Sequence, residues 1–237
     1  MTTADVQAFL DRARATSTVA APDGARVISL DAMRSAQLTP APRDHDLTAR
    51  SARWGLAELT GRLTELSGQG AAASLTAAVA LVVEAQDRGE PVAWVTLPSA
   101  SFYPPDLDEA GVDLEALVVV RAPDPVVSAR AADRLLRSGG FGLVVLDLGP
   151  AGANVEVPIA IQGRLVGLAQ RHDVALVVVT AKPSTSPSLG SMVSLRAEAV
   201  RERDRDGYRI AVRARKDKRR GPGWSEVTPV QIPAGLK

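Results

Sequence analysis

The residues best placed to do chemistry lie in a small-residue loop between a predicted strand and a predicted helix. From Gly68 to Thr76 the loop reads Gly-Gln-Gly-Ala-Ala-Ala-Ser-Leu-Thr. A phosphate-binding loop, G-x-x-x-x-G-K-[ST], occupies this kind of junction. Its backbone N–H groups surround phosphate, its lysine reaches the terminal phosphate oxygens and its hydroxyl holds magnesium. The segment therefore lies where nucleotide chemistry is expected, and its side chains decide whether that chemistry is available.

The loop lacks the side chains that bind and split ATP. Gly68 keeps the first glycine, but Ala73 stands at the second glycine, Ser74 replaces the lysine and Leu75 replaces the hydroxyl residue. Each of the last two losses removes several kcal/mol of transition-state stabilisation. We predict a degenerate loop with no cofactor and no ATP hydrolysis, and a divergent ATPase or weak anion binding at the helix N-terminus are the alternatives. The other residues assigned to this loop are Gly70 and Thr76, and the Thr76 hydroxyl is a partial substitute for the missing magnesium-binding hydroxyl.

A carboxylate at a later strand end would complete a nucleotide site. Asp147 follows the apolar run Leu143–Leu146, at the position of an acid that orients magnesium. Aspartate at a strand end is also a common turn or helix-capping residue. Without the lysine and the hydroxyl, Asp147 has little to organise.

Composition excludes several other kinds of site. The chain has 237 residues, 46% of them hydrophobic, and no cysteine, which excludes disulfides and thiolate metal sites. Only His45 and His172 are present, and their spacing predicts no metal site. No apolar run reaches the ~20 residues of a membrane span. The first residues, 1–14, lack a signal-peptide core, so we expect a cytoplasmic protein without membrane contact.

The net charge of +1 conceals a basic segment near the end of the chain. Between Arg196 and Arg220 there are eleven Lys or Arg and five Asp or Glu, so this segment carries +6 and the remaining residues −5. Such a segment is typical of a polyanion or acidic-partner site, and equally of a solvated hairpin. It predicts weak, non-specific, salt-sensitive DNA binding. The residues proposed to carry that binding are Arg213, Arg215, Lys216, Lys218, Arg219 and Arg220.

The order of predicted elements indicates an α/β fold. Short apolar strands alternate with helical patterns, which is typical of a parallel sheet covered on both faces. One helix is bounded by Pro125 and Gly139, and another spans Val157–Arg171. The predicted strands are Arg62–Leu66, Val92–Leu97, Leu117–Val120, Leu143–Leu148 and Val174–Thr180.

The hydrophobic period changes to two near the end of the chain. Val193, Leu195, Ala197 and Ala199 are predicted to share one face of a strand within Ser191–Glu202. A second such strand, Tyr208–Lys216, follows the turn signal at 204–207, and a final strand is predicted at Glu226–Ile232. The mainly parallel sheet is therefore extended by antiparallel strands. An N-terminal helical extension with linkers, residues 1–50, precedes the core domain, residues 51–237.

The order of these segments resembles the core of RecA. Residues 61–66 before the loop resemble the RecA lead-in strand, and residues 110–114 and 137–147 resemble the middle of its core. The pair formed by 194–196 and 213–218 resembles its last antiparallel strands. The similarity covers about residues 55–232, so we predict a RecA-like fold. With its degenerate loop the chain looks like the ImuA family, RecA- and SulA-related accessory proteins of damage-induced mutagenesis.

That resemblance implies a role and partners. ImuA-like proteins are not known as enzymes, which implies a pseudo-ATPase of the SOS response and translesion synthesis. The implied partners are RecA, the adaptor ImuB and, through it, an error-prone replicative-type DNA polymerase. The alternative is a SulA-like inhibitor of cell division that binds FtsZ. Other segments depart from RecA: residues 96–99 lack the water-activating carboxylate, Ala181 replaces a switch glutamine, and Lys182–Leu189 is a short Pro/Ser segment.

Two segments are candidates for partner binding. Lys216 and Lys218 align with lysines that, in a RecA filament, reach the neighbouring protomer's ATP, and the alternative is that they belong to a solvated basic turn. Phe9 and Leu10 lie on one face of a predicted helix, Ala4–Ala15, that either docks onto a partner or packs on its own core. The sequence does not say whether binding activates or restrains RecA.

Overall fold

A computed structural model of the protein describes residues 54–68, 73–155, 157–204 and 207–229. The contacts divide the chain into two units, Met1–Asp46 and Leu47–Lys237. Every described residue belongs to the second unit. The predicted extension, with the candidate residues Phe9 and Leu10, lies outside the described residues and stays a prediction.

The described chain alternates strands and helices. The helices are α1 (Leu56–Leu59), α2 (Ser74–Asp87), α3 (Pro104–Glu109), α4 (Pro125–Ser138) and α5 (Ile159–Arg171), with a 3₁₀ helix at Gly149–Asn154. The strands are β1 (Leu63–Ser67), β2 (Val92–Thr96), β3 (Leu117–Arg121), β4 (Leu143–Asp147), β5 (Ala175–Thr180), β6 (Leu195–Asp204), β7 (Gly207–Asp217) and β8 (Ser225–Pro229).

The eight strands form one sheet in the order β3-β2-β4-β5-β1-β6-β7-β8. The pairs from β3 to β6 are parallel, and β7 runs antiparallel to both β6 and β8. This confirms the predicted mainly parallel sheet with an antiparallel C-terminal extension. Parallel strands align their carboxyl ends, so the loops after β1, β2, β4 and β5 leave the sheet at one edge.

Helices cover both faces of the sheet. Residues of α1 and α2 pack with Leu66, Trp94, Val145 and Val177 on one face. Residues of α4 and α5 pack with Leu63, Val95, Val144 and Leu176 on the other. Strands buried on both faces explain the uninterrupted apolar runs of the sequence.

The α4 helix shows how local chemistry sets an element's bounds. The Asp124 carboxylate accepts the N–H groups of Val126 and Val127 at 2.8 and 2.9 Å. Pro125 needs no donor partner at the first helical position. Gly139 ends the helix in the left-handed conformation, with φ at 63°. Both predicted ends of this helix are confirmed.

One predicted strand begins four residues late. We expected the strand from Ser191 with Val193 sharing a face with Leu195, but β6 begins at Leu195. Val193 instead packs in the cluster beneath α4 and α5, whereas Leu195 packs beneath α1 and α2. The prediction was wrong here because residues 190–194 are held by tertiary hydrogen bonds rather than by strand pairing, as with Met192 N–H to Gln162 Oε1 at 3.1 Å.

Candidate functional site

The loop predicted to be degenerate follows the carboxyl end of β1 and precedes α2. Gly68 N–H donates to Thr180 O at 3.2 Å, which fixes the loop's start beside β5. At its end, Ala73 N–H donates to Ala199 O at 3.0 Å. Ala73 is the N-cap residue of α2 and provides no side-chain cap. An amide at this position would face phosphate in a working loop, and here it is bonded to β6. Gly70 lies outside the described residues.

The side chains at the lysine and hydroxyl positions face the core. Ser74 is 7% exposed, and its Oγ is buried with no hydrogen-bond partner. Leu75 is partly buried and packs against the core beneath α2. Thr76, the partial substitute, is exposed to solvent. The start of α2 therefore carries no side-chain cation.

We expect Ser74→Ala to leave the free energy of unfolding unchanged or to raise it by about 0–1 kcal/mol. The change removes a buried hydroxyl that lacks a partner, and alanine is the better helix former. Urea denaturation measures the difference, with the exposed Thr76→Ala as a control. A loss of more than about 1 kcal/mol in Ser74→Ala would mean that the hydroxyl makes a stabilising interaction.

Asp147 is the last residue of β4 and is 1% exposed. Its Oδ1 accepts Gly149 N–H at 3.1 Å, whereas Oδ2 is buried without a partner. Burial raises the pKa of Asp147 to about 6, against the opposing effects of the Gly149 N–H and the nearby Trp94 indole. Perturbed carboxyl groups of this kind are typical of functional sites. Among the described residues no group of three His, Cys, Asp or Glu is arranged to hold a metal ion.

The candidate lysines are level with the middle and the start of β1, away from the loop that follows its carboxyl end. Strand register places Lys216 beside Arg196, which pairs with Glu65 of β1. The half-buried Lys216 donates to Gly190 O at 3.4 Å, and Lys218 to Ser191 O at 2.6 Å. Burial, followed by the Lys218 cation, lowers the pKa of Lys216, against the attraction of Glu65. Both ammonium groups therefore contact the segment that precedes β6.

The other four basic candidates have partners within the domain. On β7, Arg213 and Arg215 bind Glu202 and Glu198, each at 2.5 Å. Arg219 donates to the carbonyl oxygens of Glu58 and Thr60 at 3.3 Å, and Arg220 binds the Glu58 carboxylate at 2.5 Å. Arg219 and Arg220, at the end of the predicted basic turn Arg213–Arg220, are thus held against the end of α1. Ion pairs at such exposed positions contribute about 0–1 kcal/mol each, so these arginines remain available to a partner at small cost.

Sequence reasoning missed a buried polar network beneath this turn. Arg62 Nη2 contacts Asp217 Oδ1 at 2.6 Å, with both side chains 1% exposed. The same carboxylate accepts Arg219 N–H at 2.9 Å and Trp224 Nε1–H at 3.0 Å. Arg62 Nε also donates to Ser194 Oγ at 2.9 Å. The network joins β1, the approach to β6, and the connection from β7 to β8.

A second buried network, also missed, holds the loop between β5 and β6. Glu65 accepts Thr180 Oγ1–H at 3.1 Å and Leu189 N–H at 2.8 Å. Arg196 donates to Ser67 Oγ, Pro183 O and Ser186 O. Lys182, 5% exposed, lies 4.0 Å from Glu65. The Pro/Ser segment that follows Ala181 is therefore tied to the sheet at several points. Charged residues inside an apolar strand pattern were the signal for both networks.

Comparison with known proteins agrees with this architecture. No known protein-family profile matches the chain. Protein RecA of Thermotoga petrophila and that of Thermotoga maritima are each 29% identical over 119 residues, which is 47% of this chain. The aligned part spans 33% of those relatives' own length. A KaiC-like protein from the hyperthermophilic archaeon Pyrococcus horikoshii OT3 superposes with a TM-score of 0.51. That structure is 17% identical and covers 73% of this chain and 87% of its own.

The fold is RecA-like. The chain is similar in sequence to RecA over about half of its length, and the KaiC-like structure shares its fold over 73% of the chain. Within this RecA-like domain, the loop after β1 and Asp147 at the end of β4 lie at the same edge of the sheet, with β5 between the two strands. None of the described helices is long and apolar enough to cross a membrane.

Proposed function

We propose that this RecA-related protein is a non-hydrolysing accessory protein of the SOS response that binds RecA and the ImuB adaptor and modulates the RecA filament. Through ImuB it serves translesion synthesis by an error-prone replicative-type polymerase. The observation that carries the proposal is the start of α2, where buried Ser74 and core-packed Leu75 occupy the lysine and hydroxyl positions. A protein of this fold without that chemistry is suited to binding rather than to turnover.

Electrostatics argues against ATP hydrolysis. Phosphoryl transfer depends on a cation and on magnesium placed against the developing charge. Here Ser74 and Leu75 occupy the positions of the lysine and of the hydroxyl that would hold magnesium, and the Ala73 N–H is bonded to Ala199 O. Asp147 carries a raised pKa and one unpaired oxygen, but it has no nearby lysine to work with. We therefore expect neither tight ATP–magnesium binding nor turnover.

Calorimetry with ATP and magnesium, together with a phosphate-release assay, tests this expectation. The expected result is no resolvable heat of binding and a rate equal to that of buffer. Turnover above buffer that Asp147→Ala abolishes would show that the site hydrolyses ATP and would refute the proposal of a pseudo-ATPase.

The two ends of the sheet support a one-sided association with a filament. In a RecA filament each interface sets one protomer's ATP against the next protomer's lysines. In this chain Lys216 is level with Glu65 in the middle of β1 and Lys218 is level with the start of β1, whereas the loop follows the carboxyl end of β1. A protomer that keeps the lysine end and lacks the ATP end joins a filament at one side and hinders extension at the other. This arrangement favours a capping or modulating role.

The double change Lys216→Ala with Lys218→Ala is expected to weaken RecA binding at least tenfold. Charge-assisted contacts to phosphate contribute about 1.5–3 kcal/mol each, so the loss should be larger with an ATP analogue bound to RecA than without it. Surface-immobilised RecA and a titration of each variant measure the effect. Because both lysines also bind Gly190 O and Ser191 O, equal melting temperatures of variant and parent are required.

Matched variants separate this mechanism from other docking modes. Ser74→Lys, which restores only the loop cation, is expected to leave RecA affinity nearly unchanged. If the double lysine variant binds RecA like the parent while deletion of residues 1–15 abolishes binding, docking resides in the N-terminal extension. Parallel pull-downs with ImuB and FtsZ test the remaining partners, and retention of FtsZ without RecA would favour a SulA-like inhibitor.

A further inference from the structure

The hairpin of β6 and β7 continues past the end of β1. Residues 195–198 of β6 pair with both β1 and β7, whereas residues 199–204 pair with β7 but not with β1. We call this continuation, residues 199–204 and 207–212, the ribbon. It leaves the sheet at the loop edge, because Ala73 N–H, at the start of α2, bonds to Ala199 O. The first turn of α2 carries no acidic residue, so the helix dipole adds positive potential there.

The two faces of the ribbon differ in charge. On one face Glu202 binds Arg209 within the ribbon and Arg213 just beyond it, and Glu198 binds Arg215 next to the ribbon, which neutralises that face of the hairpin. Strand alternation places Arg201, Arg203 and Tyr208 on the other face. Nearer to β1, the same face carries Ala199, Ile210 and Val212, which pack beneath α2. Glu226 of β8 shares this second face but accepts Trp54 N–H at 3.0 Å.

Arg201 and Tyr208 form a preassembled stacking pair. The guanidinium carbon of Arg201 lies 4.9 Å from the centre of the Tyr208 ring. The register sets Arg203 directly opposite Tyr208. Both arginines are exposed, Tyr208 is 42% exposed, and within the described residues no hydrogen bond or ion pair engages either guanidinium group. A guanidinium stacked on an aromatic ring keeps its N–H edges available for phosphate.

We propose that this face of the ribbon binds single-stranded nucleic acid, a site independent of the proposed RecA interface. Arg201 and Arg203 contact consecutive phosphates, and an unpaired base stacks on the exposed part of the Tyr208 ring. Stacking on an aromatic ring needs an unstacked base, which favours a single strand over a duplex, and it tolerates any base. Glu198 and Glu202 balance the arginines of the opposite face, so that face carries little net positive potential, and we place DNA binding on Arg201 and Arg203 rather than on Arg213 and Arg215.

Fluorescence anisotropy of a labelled oligothymidylate of about 20 nucleotides, longer than the ~4–16 nucleotides of typical single-strand sites, tests this. Two phosphate contacts predict a slope of about −1.4 for log K against log salt, which is about a sevenfold loss between about 50 and 200 mM. Arg201→Ala with Arg203→Ala is expected to lower affinity at least tenfold and to bring the slope close to zero. Tyr208→Ala is expected to lower affinity about tenfold with the slope unchanged, and Tyr208→Phe to bind like the parent.

The matched control is Arg213→Ala with Arg215→Ala, which removes two arginines from the neutralised face of the same hairpin. It is expected to bind within about threefold of the parent, since each of the two ion pairs that it removes is exposed and contributes little. Equal melting temperatures exclude unfolding as the cause of any loss. Three results would overturn the proposal: an equal loss in the control variant, duplex binding as tight as single-strand binding with no effect of Tyr208→Ala, or displacement by polyglutamate at lower concentration than by oligothymidylate. The last result would indicate an acidic protein partner.

Discussion

Replacing Asp217 with alanine is expected to cost about 3–5 kcal/mol of the free energy of unfolding, the largest effect of any single change considered. The carboxylate pairs with Arg62 at 2.6 Å, with both side chains 1% exposed, so its loss leaves a buried guanidinium without a counter-charge. It also removes the acceptor of Trp224 Nε1–H and of Arg219 N–H. Urea denaturation followed by circular dichroism measures the change.

Replacing both charged residues separates the effect of the unpaired charge from that of the other contacts. Arg62→Met combined with Asp217→Leu is expected to be less destabilising than Asp217→Ala alone, because no unpaired charge remains buried. Arg164→Ala, which breaks an exposed ion pair with Asp133, is the control and is expected to cost about 0–1 kcal/mol. If Asp217→Ala lowers the free energy of unfolding as little as this control does, the network does not hold β7 to β1.

The pKa of Asp217 adds a pH signature to this prediction. Burial alone would raise that pKa, but the hydrogen bonds from Arg219, Trp224 and Arg62, together with the Arg62 charge, lower it below the ordinary aspartate value of 3.8. A lowered carboxyl pKa contributes stability above the unfolded value, and that stability is lost as pH falls through the folded value. The difference between parent and Asp217→Ala should therefore persist at pH 5 and shrink only in strong acid.

Asp147→Asn is expected to raise the free energy of unfolding at pH 8 by about 1–3 kcal/mol. Burial raises the folded pKa of Asp147 from 3.8 to about 6. Between these pH values the folded state binds more protons than the unfolded state, so stability falls as pH rises through this window. At about 1.36 kcal/mol per pKa unit, the cost above pH 6 reaches at most about 3 kcal/mol. Asparagine removes the charge and with it this cost.

Thermal melts of parent and Asp147→Asn at several pH values check the sign. The advantage of the variant should be absent near pH 4 and complete above about pH 7. Asp106→Asn, at an exposed position, is the control and is expected to lie within about 0.5 kcal/mol of the parent at every pH. A parent and an Asp147→Asn variant that melt together at pH 8 would mean that the carboxylate is solvated or paired in solution.

The helices and strands with strong local signals were predictable. Pro125 begins α4 because proline has no N–H to leave unpaired at the first helical position, and Gly139 ends it because glycine adopts a positive φ. Both signals act within a few residues. The apolar runs of β2, β4 and β5 reflect burial on both faces of the sheet. In contrast, α3 and the 3₁₀ helix at Gly149–Asn154 are too short to give a period, and sequence patterns did not predict them.

The place of the candidate loop in the chain was predictable, but the contacts around its residues were not. The order of strand, small-residue loop and helix placed Ser74 and Leu75 at the lysine and hydroxyl positions from the sequence alone. That Ser74 Oγ is buried without a partner, and that the Ala73 N–H bonds to Ala199 O, depends on β6, more than 120 residues further along the chain. Local sequence carries no information on such a contact.

The charged residues show most clearly what sequence determined and what only the tertiary structure decided. The sequence by itself determined the fold class and the excess of positive charge near the end of the chain, since each depends on residue type, period or spacing along the chain. The loss of the ATP-binding groups stays a prediction from the loop sequence. Only the tertiary structure decided which of the charged side chains are paired or packed against another residue. Arg62 and Asp217 are paired and buried, Arg213 and Arg215 are neutralised by glutamates, and Arg201 lies against Tyr208. The physical reason is that an ion pair or a ring contact depends on distance in space, and the folding of β1, β6 and β7 into one sheet sets those distances.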